Sequence, residues 1–307
     1  MRFAIIGASG HWAYALNELK NHTVVGICAG FEGENVENVQ KTLQNNGIFC
    51  EILADFDTVL AKEPQIVIVN TRFDLNAKYT KLCLEKNIYV FSEKPLAVAN
   101  EDLEEIKKTK TTAFVSCMFG ISYEGWCLTV KEAVKNIGTI RMINGRKSYK
   151  LGVRPDFYKN KDTFGGIMPW VGIHAMHWIH FVTGLNFSEA NSVTSNLENF
   201  NNGDLETAAA ATFIMENGAI ATVSADYYRP ASAPTWDDDR LRVVGTKGIV
   251  EYEKGRVILI DENGERELPL LESQDVFKLF VDRIEDNFSG VSMEESIYIT
   301  EIALKCK

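Results

Sequence analysis

Short apolar runs separated by longer amphipathic stretches set the rhythm of the first 120 residues. Phe3–Ile6, Thr23–Cys28, Gln65–Asn70, Ile88–Ser92 and Thr112–Cys117 read as strands. Between them, helices are predicted near 11–20, 34–46, 56–61, 74–86 and 101–108. Strands alternating with helices imply βαβ units and a parallel sheet covered on both faces. The last of these helices begins at an Asn cap, Asn100, with Glu101 and Asp102 in the first turn, where the helix dipole favours negative charge.

After Gly138 the pattern changes. Residues 139–150 read as a strand, 167–183 as an apolar helix ending before Gly184, and 190–270 as consecutive antiparallel strands. Glu216-Asn217-Gly218, Gly245-Thr246-Lys247-Gly248 and Glu262-Asn263-Gly264 supply the turns. Two more helices are predicted over 273–288 and 293–305, and the helix over 122–136 is compatible with either half. The expected fold is α/β: a doubly wound domain over 1–120, then an α+β domain over 121–307 with a large, mostly antiparallel open sheet.

Composition narrows the function classes. With 46% apolar and 24% charged residues, the 307-residue chain has the make-up of a soluble globular protein with room for two domains. No apolar run approaches the roughly 18–20 residues that cross a bilayer. The start, Met1 to Gly7, lacks the features of a signal peptide, so a cytoplasmic location is expected. The six cysteines form no C-x-x-C pair, which points to reduced, buried thiols. A net charge of −10 argues against nucleic acid as a partner. It leaves room for a dinucleotide, because backbone amides hold a pyrophosphate without an excess of basic residues.

The first strand runs into Gly7-Ala8-Ser9-Gly10-His11-Trp12-Ala13, which opens the first helix. A turn without Cβ atoms lets backbone approach phosphate, and the first amides of a helix bind its charge. The second strand ends in Ala29-Gly30-Phe31, with Glu32 and Glu34 further on, so the acid expected at its tip for a ribose hydroxyl is missing. No Arg or Lys stands near it in sequence for a 2′-phosphate either. The fourth strand exits into Glu93-Lys94-Pro95, placing an ammonium at the carboxyl edge of the sheet, where ligands of such sheets bind.

This ordered set resembles the glucose-fructose oxidoreductase, inositol dehydrogenase and MocA family. The resemblance runs through Ile66–Pro95, Gly138-Thr139-Ile140-Arg141, Gly165-Gly166, Gly172-Ile173-His174 and Asp238 to Gly248, and so covers essentially the whole chain. It implies a Rossmann domain, an oligomerising open sheet, and oxidation or reduction of a sugar, cyclitol or similar polyol. It implies NAD as the cofactor, with NADP not excluded; the absence of a basic residue after the second strand favours NAD. Residue by residue, Lys94 matches the lysine beside the nicotinamide and His174 the proton-transfer histidine. The implied cofactor contacts are Gly7, Ala8, Ser9, Gly10, His11, Trp12, Ala29, Thr71, Arg72, Asn76, Glu93 and Lys94. Trp170 stands where the family usually has Asp, His177 replaces a second Asp, and Met118-Phe119-Gly120 replaces an Asn-Arg pair.

Arg154 and Tyr158 in a loop, with Trp170 and Trp236, are candidate substrate contacts beside Lys94 and His174. Asp238 and Arg240 read first as an ion pair. His174, His177 and His180 recur at three-residue intervals, yet packing is the preferred reading for the last two and no metal is expected. The leading function is a dehydrogenase acting on a small hydroxyl or carbonyl compound, with both catalytic side chains meeting in an interdomain cleft. The alternatives are an enzyme that uses bound NAD transiently, as NAD-dependent glycosidases do, and a non-catalytic dinucleotide-binding sensor. A homodimer or homotetramer through the C-terminal sheet is expected, because Thr207–Met215 and Ala219–Tyr227 carry small and apolar residues on both alternating sets.

Overall fold

A computed structural model describes residues 1–307. The chain divides into two compact units, Met1–Met118 with Asp275–Thr300, and Phe119–Gln274 with Glu301–Lys307. In chain order the first stretch contains β1 (Arg2–Ile6), α1 (Leu16–Leu19), β2 (Thr23–Cys28), α2 (Glu37–Asn45), α3 (Phe56–Ala61), β3 (Ile66–Val69), α4 (Phe73–Leu84), β4 (Tyr89–Ser92), α5 (Asn100–Lys108) and β5 (Val115–Cys117). The second contains α6 (Gly125–Val134), β6 (Ile140–Lys150), α7 (Lys161–Phe164), α8 (Ile173–Thr183) and seven further strands, β7 (Phe187–Ser195), β8 (Ala208–Met215), β9 (Ile220–Arg229), β10 (Asp237–Gly245), β11 (Gly248–Glu253), β12 (Arg256–Asp261) and β13 (Gly264–Leu268). Helices α9 (Val276–Asp286) and α10 (Met293–Leu304) close the chain.

The first sheet is parallel, in the order β2-β1-β3-β4-β5. All of β3 and all of β5 is buried, which explains why their sequences are continuous apolar or small runs rather than alternating ones. The chain moves from β1 outward to β2 and then crosses back to β3 on the other side of β1. Such a reversal opens a crevice beyond the carboxyl ends of the central strands. Residues 275–300 pack in this unit instead of continuing the second one. The reason is aromatic: Phe277 meets Phe3 and Phe91, and Phe280 meets Phe91 and Phe114, at centroid distances of 4.9–5.8 Å. Burying each ring is worth about 1.5–3 kcal/mol. The Ser116 hydroxyl donates to the Val291 carbonyl and the Cys117 amide to Ser296 Oγ, which ties the edge strand β5 to the same segment.

The second unit carries an eight-stranded sheet, β13-β12-β11-β10-β6-β9-β8-β7. All its neighbours are antiparallel except β6 and β9, which run parallel, so the sheet is mixed at its centre. Along β8 burial alternates strictly, with Ala209, Ala211, Phe213 and Met215 inward. The outward positions of β8 and β9 mix Ala210, Ile214 and Ile220 with Thr212, Thr222 and Ser224. Arg242 pairs with Glu251 and Arg240 with Glu253 across strands, and exposed Met142, Ile214 and Ile220 lie together at one corner. Two local expectations also change. The capping position of α5 is Ala99, with no side-chain cap, and Asn100 is already helical. The helix predicted over 167–183 begins with one widened π turn, Met168–Gly172, before α8.

Candidate active site

The glycine turn after β1 is held down by its neighbours. Gly7 takes φ +82°, and a Cβ there would lie 2.6 Å from the Asn70 carbonyl oxygen. A Cβ on Gly10 would lie 2.1 Å from Glu93 Oε2, and one on Gly30 2.1 Å from Thr71 Oγ1. Only residues without side chains allow the turns after β1 and β2 to close on those after β3 and β4. The helix expected over 11–20 is a 3-10 turn, Trp12–Ala15, followed by the single turn of α1. Its amides are mostly engaged by side chains instead of standing free. The Ala8 N–H donates to Glu34 (2.9 Å), the His11 N–H to Glu93 (2.6 Å) and the Trp12 N–H to Asn70 Oδ1 (3.2 Å). The Ser9 N–H is used by the Asn70 carbonyl, and the Gly10 amide has no protein acceptor.

Glu93 and Lys94, at the exit of β4, are both fully buried. The Glu93 carboxylate accepts from the backbone and ring of His11 and from the Lys94 amide, and the Lys94 ammonium stands 3.9 Å away. Burial alone pushes this carboxyl up. The opposing charges of His11 and Lys94, with the His11 hydrogen bonds, outweigh it and hold Glu93 below the ordinary carboxylate range. The Lys94–Pro95 peptide is cis, and Asn76 Nδ2 donates to the carbonyls of Glu93 and Pro95, one on each side of the lysine. Lys94 is thereby fixed at the carboxyl edge of the sheet.

An acid that the sequence left unassigned completes the other side of the turn. Glu34 lies six residues beyond β2, yet its carboxylate accepts from Ala8 N–H, Ser9 Oγ, Gly30 N–H and Thr71 Oγ1 at 2.5–3.0 Å. Arg72 is also nearer than its place in the sequence implied. Its guanidinium lies 5.2 Å from the Phe31 ring centroid and is attracted by the Glu34 charge. Ala29 precedes Gly30 at this tip, and Thr71 joins it to β3. The edge fits a dinucleotide. The turns after β1 and β2 close without Cβ atoms on those after β3 and β4, while Asn70 Nδ2 and Asn76 Oδ1 are buried without protein partners.

In the second unit His174 sits in the first turn of α8, 2% exposed, with its ring 6.4 Å from that of Trp178. The π turn just before it carries Trp170, and widened turns of this kind recur at functional sites. Trp170 meets Tyr158 edge-on at 6.2 Å, and the Arg154 guanidinium stacks over Tyr158 (5.3 Å), Tyr227 (4.7 Å) and Trp236 (5.9 Å). Four residues singled out separately in the sequence thus form one aromatic and cationic chain. Trp236 walls a cavity of about 790 Å³ that also involves Lys150, Phe200 and Tyr227. Tyr227, the last residue of the predicted strand Ala219–Tyr227, carried no sequence signal of its own. His177 bonds Ser122 and stacks on Phe119 at 4.1 Å, and His180 Nδ1 lies 3.1 Å from the Leu185 carbonyl; both are engaged in packing contacts. Asp238 and Arg240 do form an ion pair, at 3.3 Å.

Residues 1–120 match the family model of the oxidoreductase family with an NAD-binding Rossmann fold, and 127–251 match that of the GFO/IDH/MocA C-terminal domain. A solved Thermotoga maritima structure, provisionally assigned as an oxidoreductase, is 44% identical, with a TM-score of 0.96 over 99% of this chain and 96% of that one. Levoglucosan dehydrogenase, solved with NADH, is 14% identical and shares the fold, with a TM-score of 0.80 over 99% and 95% of the two chains. Inositol 2-dehydrogenase of Salmonella typhimurium is 24% identical over 177 residues, 56% of this chain. The match spans about half, 51%, of the length of that curated relative. Both halves of the chain carry the family's domains in its order, and the chain belongs to the GFO/IDH/MocA family of NAD-binding oxidoreductases.

Proposed function

We propose that the protein is a dehydrogenase for a small polyol- or sugar-like compound, with His174 as the proton-transfer group and Lys94 as the charge that stabilises the reacting oxygen. The carrying observation is Lys94: a fully buried ammonium, braced by an ionised Glu93, at the edge where parallel sheets bind ligands. The nicotinamide, when bound, supplies the hydride acceptor or donor. The chain's own part is the proton and the charge. In oxidation His174 takes the hydroxyl proton as general base, and Lys94 stabilises the alkoxide that develops. Trp170, 6% exposed and edge-on to Tyr158, gives the substrate side an apolar wall where the family usually has a carboxylate.

The test is NAD-linked turnover on a panel of polyols, sugars and their carbonyl counterparts, followed by His174→Ala. A general base contributes about 10²–10⁴ in rate. We expect a loss of that size in kcat with little change in NADH affinity. Turnover near wild type in His174→Ala sinks the proton-transfer role. NADH binding without turnover of any panel member moves the reading to a dinucleotide sensor. Trp170→Asp is expected to shift kcat/KM towards more hydroxylated substrates. Assembly through the outer face of the eight-stranded sheet belongs to the same reading, supported by the Met142–Ile214–Ile220 corner. Light scattering at micromolar concentration checks it, and a monomer mass there rejects it.

A further inference from the structure

Glu34 is unusual in being saturated. A carboxylate offers about four acceptor sites, and here Oε1 takes Ala8 N–H and Ser9 Oγ while Oε2 takes Gly30 N–H and Thr71 Oγ1. Four donors fix the group in place. The Arg72 guanidinium, which feels the Glu34 charge, is already engaged: Nε and Nη2 bind the two oxygens of Asp74 at 2.7 and 2.9 Å, with Phe31 beneath one face. The tips of β1, β2 and β3 therefore present one immovable anion and one neutralised cation.

In doubly wound folds the adenosine ribose of a dinucleotide is read beside the second strand. NAD brings two hydroxyls there. A ribose hydroxyl can replace the Ser9 or Thr71 hydroxyl on Glu34, one O–H donor for another, and the displaced side chain rotates to a different acceptor. NADP brings a phosphate that is mostly dianionic at neutral pH and has no proton to offer. It meets a fixed carboxylate, and the fork that would hold it is closed on Asp74. We propose that Glu34 and Asp74 together set the cofactor choice, Glu34 by repelling a 2′-phosphate and Asp74 by withholding Arg72 from it. This rests on the family's cofactor and is independent of the substrate reading.

The test is direct binding to the full-length protein, titrating NADH and NADPH and following energy transfer from tryptophan to the reduced nicotinamide. Wild type is expected to prefer NADH by at least about 100-fold, since placing like charges together costs several kcal/mol. Asp74→Asn should tighten NADPH about 10-fold with NADH unchanged, and Arg72→Ala in that background should cancel the gain. Glu34→Gln removes the charge at nearly constant size and should also narrow the preference; with Asp74→Asn it should bring NADPH level with NADH. Thermal melts report whether Glu34→Gln has loosened the turn, and Asp74→Asn, outside the Glu34 network, carries the test if it has. Wild type binding NADPH as tightly as NADH overturns the proposal alone. So does a folded Asp74→Asn whose NADPH-to-NADH ratio stays within about twofold of wild type. Binding of neither cofactor below millimolar concentration overturns the cofactor assignment with it.

Discussion

Each unit buries one lysine beside carboxylates, and the carboxyl groups shift in opposite directions. In the first unit Glu93 stands 3.9 Å from Lys94 and is held ionised, below its usual range. In the second, Asp239 lies only 2.6 Å from the fully buried Lys147, yet its carboxyl is pushed up to about 7. Distance to the lysine therefore does not decide ionisation. Burial opposes the charge in both places. Glu93 overcomes it with three further donors from His11 and the Lys94 backbone. Asp239 has the Lys147 ammonium alone, shares it with Asp237 at 3.0 Å, feels Glu124 as well, and leaves Oδ1 buried without a partner. An ionised carboxylate needs enough donors of its own, and the number of acids competing for one cation matters as much as the contact.

The largest expected contrast is catalytic. Lys94→Ala should lower kcat by about 10²–10³, while Lys147→Met should leave kcat within severalfold of wild type, as steady-state assays will show. Equal losses in both would erase the functional distinction between the two lysines. Stability reverses the order. Lys147→Met strands Asp239 and Asp237, and denaturant unfolding at pH 8 should show a loss of about 3 kcal/mol. That loss should shrink towards pH 5, where Asp239 takes up a proton and no longer needs the ammonium.

A smaller effect comes from Glu93→Gln, about 1–3 kcal/mol at neutral pH, because the amide leaves the His11 and Lys94 donors poorly matched. The folded-state pKa of Glu93 is depressed, so its contribution is complete above the ordinary carboxylate pKa and is lost as pH falls through the folded value. The stability gap between wild type and Glu93→Gln should therefore be full at pH 7 and narrow as pH falls below the ordinary carboxylate range, as denaturant unfolding across that range will show. Asp239→Asn should act in the opposite direction. A raised folded-state pKa means that the native protein keeps a proton which the unfolded chain has released. This group makes stability fall as pH climbs from about 4 to about 7, by at most about 1.4 kcal/mol per pH unit. Asp239→Asn should flatten that slope. A mutant curve that still parallels wild type would mean Asp239 is ionised like Glu93.

Much of this molecule is legible along the chain. The five parallel strands, the change of architecture after Gly138, the lysine at the exit of β4 and the histidine on the apolar helix all follow from residues adjacent in sequence. Hydrophobic period and turn chemistry are local properties, so local reading reaches them. Tertiary structure alone decided the rest. It drew Glu34 back to the turn after β1, set Arg72 over Phe31 and closed it on Asp74, and placed residues 275–300 with the first sheet through Phe277 and Phe280. It also paired β6 with β9 in parallel and gathered Arg154, Tyr158, Trp170 and Trp236 into one chain. A ligand subsite collects side chains from the ends of elements far apart in sequence. No period marks such residues, and which of them share a donor or a charge is settled only when the strands lie side by side.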